Sequence, residues 1–142
     1  MKIAIAQQNY IIGDFEYNRN KIIAAIDQAR KQDAELIVFS ELSVCGYPPR
    51  DLLEFNDFIE ESYKSVEIIK QHTNGIGVII GAPQRNPKIE GKDLFNSALL
   101  IYNGLVIGTV NKSLLPTYDI FDEYRFFEPA KQWSVIEFKG QR

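Results

Sequence analysis

The sequence predicts an α/β fold on three observations: a short alternating strand at residues 2–6 (KIAIA), a following stretch with apolar residues at helical spacing, and the continuous apolar run Leu36–Phe39. The helix is expected over residues 17–32. Ile22, Ile23, Ile26 and Ala29 line one face, and Lys21, Asp27, Arg30 and Lys31 are left to water. Leu36–Phe39 has no polar position, which is the pattern of a strand covered on both sides. Strand, helix and strand make a βαβ unit with a right-handed crossover. Residues 40–50 read as a loop, since Gly46 and the Pro48-Pro49 pair disfavour regular structure there. Asp51 could cap a short helix. A longer helix is expected over residues 55–71 with Phe58, Ile59, Val66 and Ile69 inward. Residues 77–81 (GVIIG) read as another buried strand. Residues 95–102 and 105–110 flank Asn103-Gly104, a strong hairpin signal. The stretch after Lys112 is irregular and aromatic, and residues 134–138 (SVIEF) alternate as a last strand would.

With 142 residues the chain suits one domain, and a composition 45% hydrophobic and 25% charged is that of a globular protein. A net charge of −3, with basic residues scattered, gives no electrostatic case for nucleic acid or for an anionic membrane. The apolar runs fall far short of the ~20 residues that a membrane span requires. The N-terminal stretch lacks the apolar core and cleavage site of a signal peptide, and the one cysteine permits no internal disulfide. Together these point to the cytoplasm.

Glu41 stands two residues beyond the run Leu36–Phe39, at the carboxyl end of a buried strand, where α/β proteins gather functional groups. A partly desolvated carboxylate there suits proton transfer, and it equally suits a loop carboxylate bonded to nearby amides. Lys112 lies just past the second hairpin strand and opens the aromatic segment. A fixed ammonium in that setting can stabilise an oxyanion, whereas an exposed strand-end lysine is the plain alternative. Cys45 reads as a small buried thiol. His72, at the end of the second long helix, is accounted for by a helix C-terminus, and one His and one Cys far apart make no metal site. No GxxxxGK[ST] phosphate loop occurs. The fold outline by itself names no activity.

Two segments carry a resemblance. FSELSVCGYPPRDLL, with Glu41, resembles the nitrilase-superfamily segment that bears the catalytic glutamate, and NKSLLPTYDIFDEYRFFEP, with Lys112, resembles the one that bears the catalytic lysine. The opening KIAIAQQNYIIGDFEYNRNKI is similar to the first strand and helix of that superfamily. Pro-Pro-x-Asp-Leu-Leu and Asp-x-Phe-Asp-Glu-x-Arg-x-Phe most resemble the glutaminase domain of glutamine-dependent NAD synthetases. The resemblance implies an α-β-β-α sandwich, of which residues 1–142 are the first part only, and a Glu-Lys-Cys triad. Glu41 would be the general base and Lys112 the holder of the oxyanion, with Glu123 buttressing the lysine. Tyr47, Tyr118 and Phe121 would line the glutamine pocket; ordinary core packing is the other reading of these three. The family nucleophile lies on a later strand, so no residue of this chain fills that role.

The resemblance further implies the N-terminal part of a carbon-nitrogen hydrolase (glutaminase) domain, with the synthetase domain outside the chain. Glutamine would be hydrolysed and its ammonia used for ATP-dependent amidation of nicotinic acid adenine dinucleotide to NAD. ATP and Mg are expected in the absent synthetase domain, and no cofactor in this part. Expected partners are glutamine, the synthetase domain of the same protein and further copies in a homo-oligomer. The alternatives are a free-standing carbon-nitrogen hydrolase of another small amide, and a non-catalytic binding domain of the same fold.

Overall fold

The computed structural model describes residues 1–88 and 90–141. In chain order the elements are β1 (Ile3–Ala6), α1 (Phe15–Lys31), β2 (Leu36–Phe39), a 3-10 turn (Arg50–Glu54), α2 (Asn56–Lys70), β3 (Gly77–Arg85), β4 (Leu94–Tyr102), β5 (Leu105–Asn111) and the single-turn α3 (Glu123–Phe126). One five-stranded sheet runs β1-β2-β3-β4-β5, parallel from β1 to β3 and antiparallel from β3 to β5. The predicted α/β architecture is the one observed.

Both long helices cover one face. The Asp14 side chain caps α1 by accepting from the Tyr17 N–H at 3.0 Å, and Arg30 and Lys31 complement the dipole at its other end. Ile22, Ile26 and Ala29 of α1, with Val66 and Ile69 of α2, are buried against Ile37, Phe39, Val78, Ile80, Leu99 and Ile101 of the strands. Ile23 packs against the same core from its margin. The hairpin forms as expected: Asn103 (φ 49°) and Gly104 (φ 79°) both take the left-handed conformation that a two-residue primed turn requires. It is tied to the turn after α2, where the Gly104 N–H donates to Thr73 Oγ1 at 2.9 Å and the Gly75 N–H to Asn103 Oδ1 at 2.8 Å.

Three sequence-based expectations are corrected. Asp51 lies inside the 3-10 turn; the capping position is Pro49, which offers no side-chain acceptor. β3 runs on through Pro83 to Arg85 because the antiparallel β4 extends it, pairing Pro83 with Asn96. Residues 134–138 form no strand. Ile136 and Phe138 pack over the sheet face opposite the helices, where Gly108 and Gly77 leave the space: a Cβ would stand 2.3 Å from Ile136 Cδ1 at the first and 2.6 Å from Phe138 Cζ at the second. A segment spent on covering the sheet in this way has its backbone outside the ladder, and only the isolated Phe138–Gln141 bridge remains.

That second face is covered only at one end. Ile3 and Ile5 share it, through their register with Leu36 and Val38, and are 51% and 81% exposed. No helix among the described residues is long and apolar enough to cross a membrane.

Candidate functional site

Glu41 is held by a turn pinned to the middle of the sheet. The Val44 N–H donates to Gly81 O at 3.2 Å, and Ser43 Oγ accepts from the Gly81 N–H at 3.3 Å. Gly81 is glycine for a steric reason, since a Cβ there would stand 2.3 Å from Leu42 N. Gly46 (φ 81°) lets the chain close the turn, with its N–H on Leu42 O at 2.8 Å. Leu42 itself adopts φ 48°, a conformation costing a bulky residue about 1–2 kcal/mol. Its side chain, fully buried with Cys45, Leu53, Phe58 and Phe127, offsets that cost. Strain of this kind next to Glu41 is what an over-determined site displays.

Lys112 follows β5 and is anchored at both main-chain groups. Its N–H donates to Asn96 O at 2.8 Å, and its carbonyl accepts from the Ala130 N–H at 3.0 Å. The ammonium Nζ bonds Glu41 Oε1 at 2.8 Å and the two Glu123 oxygens at 2.9 and 3.1 Å. Glu41 and Lys112 are 71 residues apart in sequence. Glu123 begins α3 and is only 5% exposed. It also accepts the Tyr47 hydroxyl at 2.8 Å. Two carboxylates thus share one ammonium.

The electrostatics follow. Burial is the largest single influence on Lys112 and pulls its pKa down, but the hydrogen bonds and charges of Glu41 and Glu123 together outweigh it. The net shift is upward and the ammonium stays charged. Tyr47 is pushed well above the ordinary phenol value, first by burial, then by its bond to Glu123 and the nearby carboxylate charges. It therefore remains a neutral donor.

Of the residues singled out in the sequence, Glu41, Lys112, Glu123 and Tyr47 meet directly. Phe121 stands between Tyr47 and Tyr118, with ring centroids 6.3 and 5.6 Å away. Tyr47, Phe121 and Glu123 line one cavity of about 450 Å³, together with Arg50, Asp119 and Arg125. Tyr118 is largely exposed and borders a neighbouring, more open depression with Lys112. Cys45 is buried beneath the turn with its thiol toward Leu42 O and Gly46 O, at 3.7 and 3.6 Å. Burial pushes this thiol up to about 12. His72 lies in the turn after α2, where its carbonyl accepts from Arg30.

The residue that sequence reasoning missed is Asn96, 3% exposed in β4. Its Nδ2 donates to Glu41 Oε1 at 2.5 Å and reaches Glu123 Oε2 at 3.4 Å. The available signal was an asparagine inside the otherwise strand-forming FNSALLIY, where β-propensity disfavours it.

Comparison with known proteins places the chain in a family. A family model described as carbon-nitrogen hydrolase matches residues 2–141. The chain is 37% identical over its whole length to the glutamine-dependent NAD(+) synthetase of Aquifex aeolicus, covering 24% of that protein. It is 38% identical over 97% of its length to the one of Synechocystis sp., covering 25%. The chain therefore spans about a quarter of the length of the curated relatives it matches. Among solved structures, the glutamine-dependent NAD+ synthetase of Acinetobacter baumannii superposes with a TM-score of 0.89 at 37% identity, over 97% of this chain and 26% of that one. A nitrilase-superfamily amidase from Nesterenkonia shares the fold at 23% identity, with a TM-score of 0.82 over 100% of this chain and 53% of its own.

Proposed function

Because the chain belongs to the carbon-nitrogen hydrolase family, we propose that it is the glutaminase portion of an NAD synthetase, with Glu41 as general base and Lys112 as oxyanion holder. The carrying observation is the Lys112 ammonium clamped between Glu41 and Glu123. An ammonium fixed beside a carboxylate base can stabilise the negative oxygen of a tetrahedral intermediate while the base takes a proton from the nucleophile. Glu123 is the supporting carboxylate: it is buried, it accepts Tyr47 and Lys112 together, and it lines the cavity beside Tyr47 and Phe121. Tyr47 and Phe121 form the aromatic wall against which the aliphatic part of glutamine would lie, and Tyr118 packs edge-on against Phe121 from the neighbouring depression.

The reaction needs a thiolate, and Cys45 does not supply one. Its thiol is buried among apolar groups, directed at main-chain carbonyls and held neutral at physiological pH. The nucleophile belongs to another part of the protein, and the 142-residue chain alone is expected to release no ammonia from glutamine. ATP and Mg²⁺ would serve the synthetase portion, where ammonia amidates nicotinic acid adenine dinucleotide. A buried, unpaired thiol is consistent with a reducing cytoplasm.

The test uses the full-length protein carrying this region. Glu41→Gln and Lys112→Met should each lower glutamine-dependent ammonia release by roughly 10²–10⁴-fold. NAD formation from free ammonia should continue in both. Wild-type glutaminase rates in either variant, or thiol-reagent-sensitive ammonia release by the isolated chain, would overturn the assignment.

A further inference from the structure

We propose that Asn96 is the positioning residue that fixes which oxygen of Glu41 accepts the proton, by occupying the other one. The inference rests on the assignment of Glu41 as the base. Glu41 Oε1 receives two donors, Asn96 Nδ2 at 2.5 Å and Lys112 Nζ at 2.8 Å. Among the described residues no donor bonds Oε2. Oε1 is thus engaged by groups that stabilise negative charge, and Oε2 is the oxygen left with free lone pairs for an incoming proton.

An amide suits this task better than a second cation. It donates two N–H bonds, carries no titratable proton, and adds no charge to a site already holding one ammonium and two carboxylates. The same Nδ2 that holds Glu41 reaches Glu123 Oε2 at 3.4 Å, so one buried group orients both carboxylates. Its main chain contributes as well: Asn96 O accepts the Lys112 N–H at 2.8 Å, fixing where the lysine leaves β5. β4 therefore sets the relative positions of all three charged side chains. Asn96 is 3% exposed and its amide is spent on the two carboxylates, so it acts through Glu41.

The experiment uses the full-length protein with Asn96→Ala and the near-isosteric Asn96→Asp, and with Glu41→Gln as control. Both Asn96 variants should lower glutaminase kcat by roughly 10–100-fold, with KM for glutamine moving less than about threefold. In both, the acid limb of the kcat–pH profile should move to higher pH, because a carboxylate that loses a donated hydrogen bond holds its proton more tightly. Ammonia-dependent NAD formation should be unchanged, which separates loss of positioning from loss of fold. If Glu41→Gln keeps full glutaminase activity, the base assignment fails and this proposal with it. If Glu41→Gln is inactive while the Asn96 variants keep wild-type kcat and an unmoved acid limb, this proposal alone fails. A lower kcat with an unmoved acid limb in both variants also overturns it, since that is the signature of a packing residue.

Discussion

Gly81 has no side chain, and the Glu41 turn occupies the space one would fill. Gly81→Ala would place a Cβ against Leu42 N and the Glu41 main chain. Neither is the end of a flexible side chain, so the turn must shift. We expect a loss of about 1–3 kcal/mol, read as a lower melting midpoint, together with displacement of Glu41; an unchanged midpoint would count against the pinned-turn description. Cys45 offers a second test at this scale. Its folded-state pKa is raised, so the neutral thiol is the form the fold favours. Its contribution to stability is complete below the ordinary thiol value and is lost as pH rises from there towards about 12. Cys45→Ala should flatten the alkaline end of the stability–pH curve, and the native thiol should react with a disulfide reagent only after unfolding. Rapid native labelling would show the thiol to be accessible.

At the scale of elements, the join between the β4–β5 hairpin and the end of α2 is the most testable. Gly104 needs φ 79° and a Cβ there would meet only Lys70 O at 3.9 Å, so Gly104→Ala isolates the conformational cost, about 1–2 kcal/mol in chemical denaturation. Thr73→Val removes the acceptor of the Gly104 N–H and the donor to Lys70 O, and should cost about 1 kcal/mol or more. No loss in either would mean the hairpin does not depend on this join. The elements themselves were legible because period and turn chemistry carry them: α1, α2, β2 and the Asn103-Gly104 hairpin lie within one or two residues of expectation. What failed was less local. The alternation in residues 134–138 fits a strand and equally fits a strap laid over glycines, and only the partner surface decides. The extension of β3 through Pro83 depends on β4. Glu41, Lys112 and Glu123 were found through their flanking text, whereas Asn96 was hidden because a strand residue announces its face and not its partners.

For the molecule as a whole, the two sheet faces differ. The helix side is closed, and the other side presents Ile3, Ile5 and Val38 to solvent or at partial cover. An apolar face of this kind next to an edge strand favours association. The isolated 142-residue chain is expected to sediment with a concentration-dependent mass, and Ile5→Lys, at a site 81% exposed, should reduce that association with little effect on the melting midpoint. Monomeric sedimentation of the unaltered chain at high concentration would contradict this.

The separation of 71 residues between Glu41 and Lys112 has a meaning in time as well as in space. On a ribosome adding about 5–20 residues per second, the lysine is made roughly 4–14 s after the glutamate. Asn96, 55 residues beyond Glu41, is made sooner. Of the two donors that Glu41 Oε1 has in the folded protein, the neutral amide is therefore synthesised before the cation.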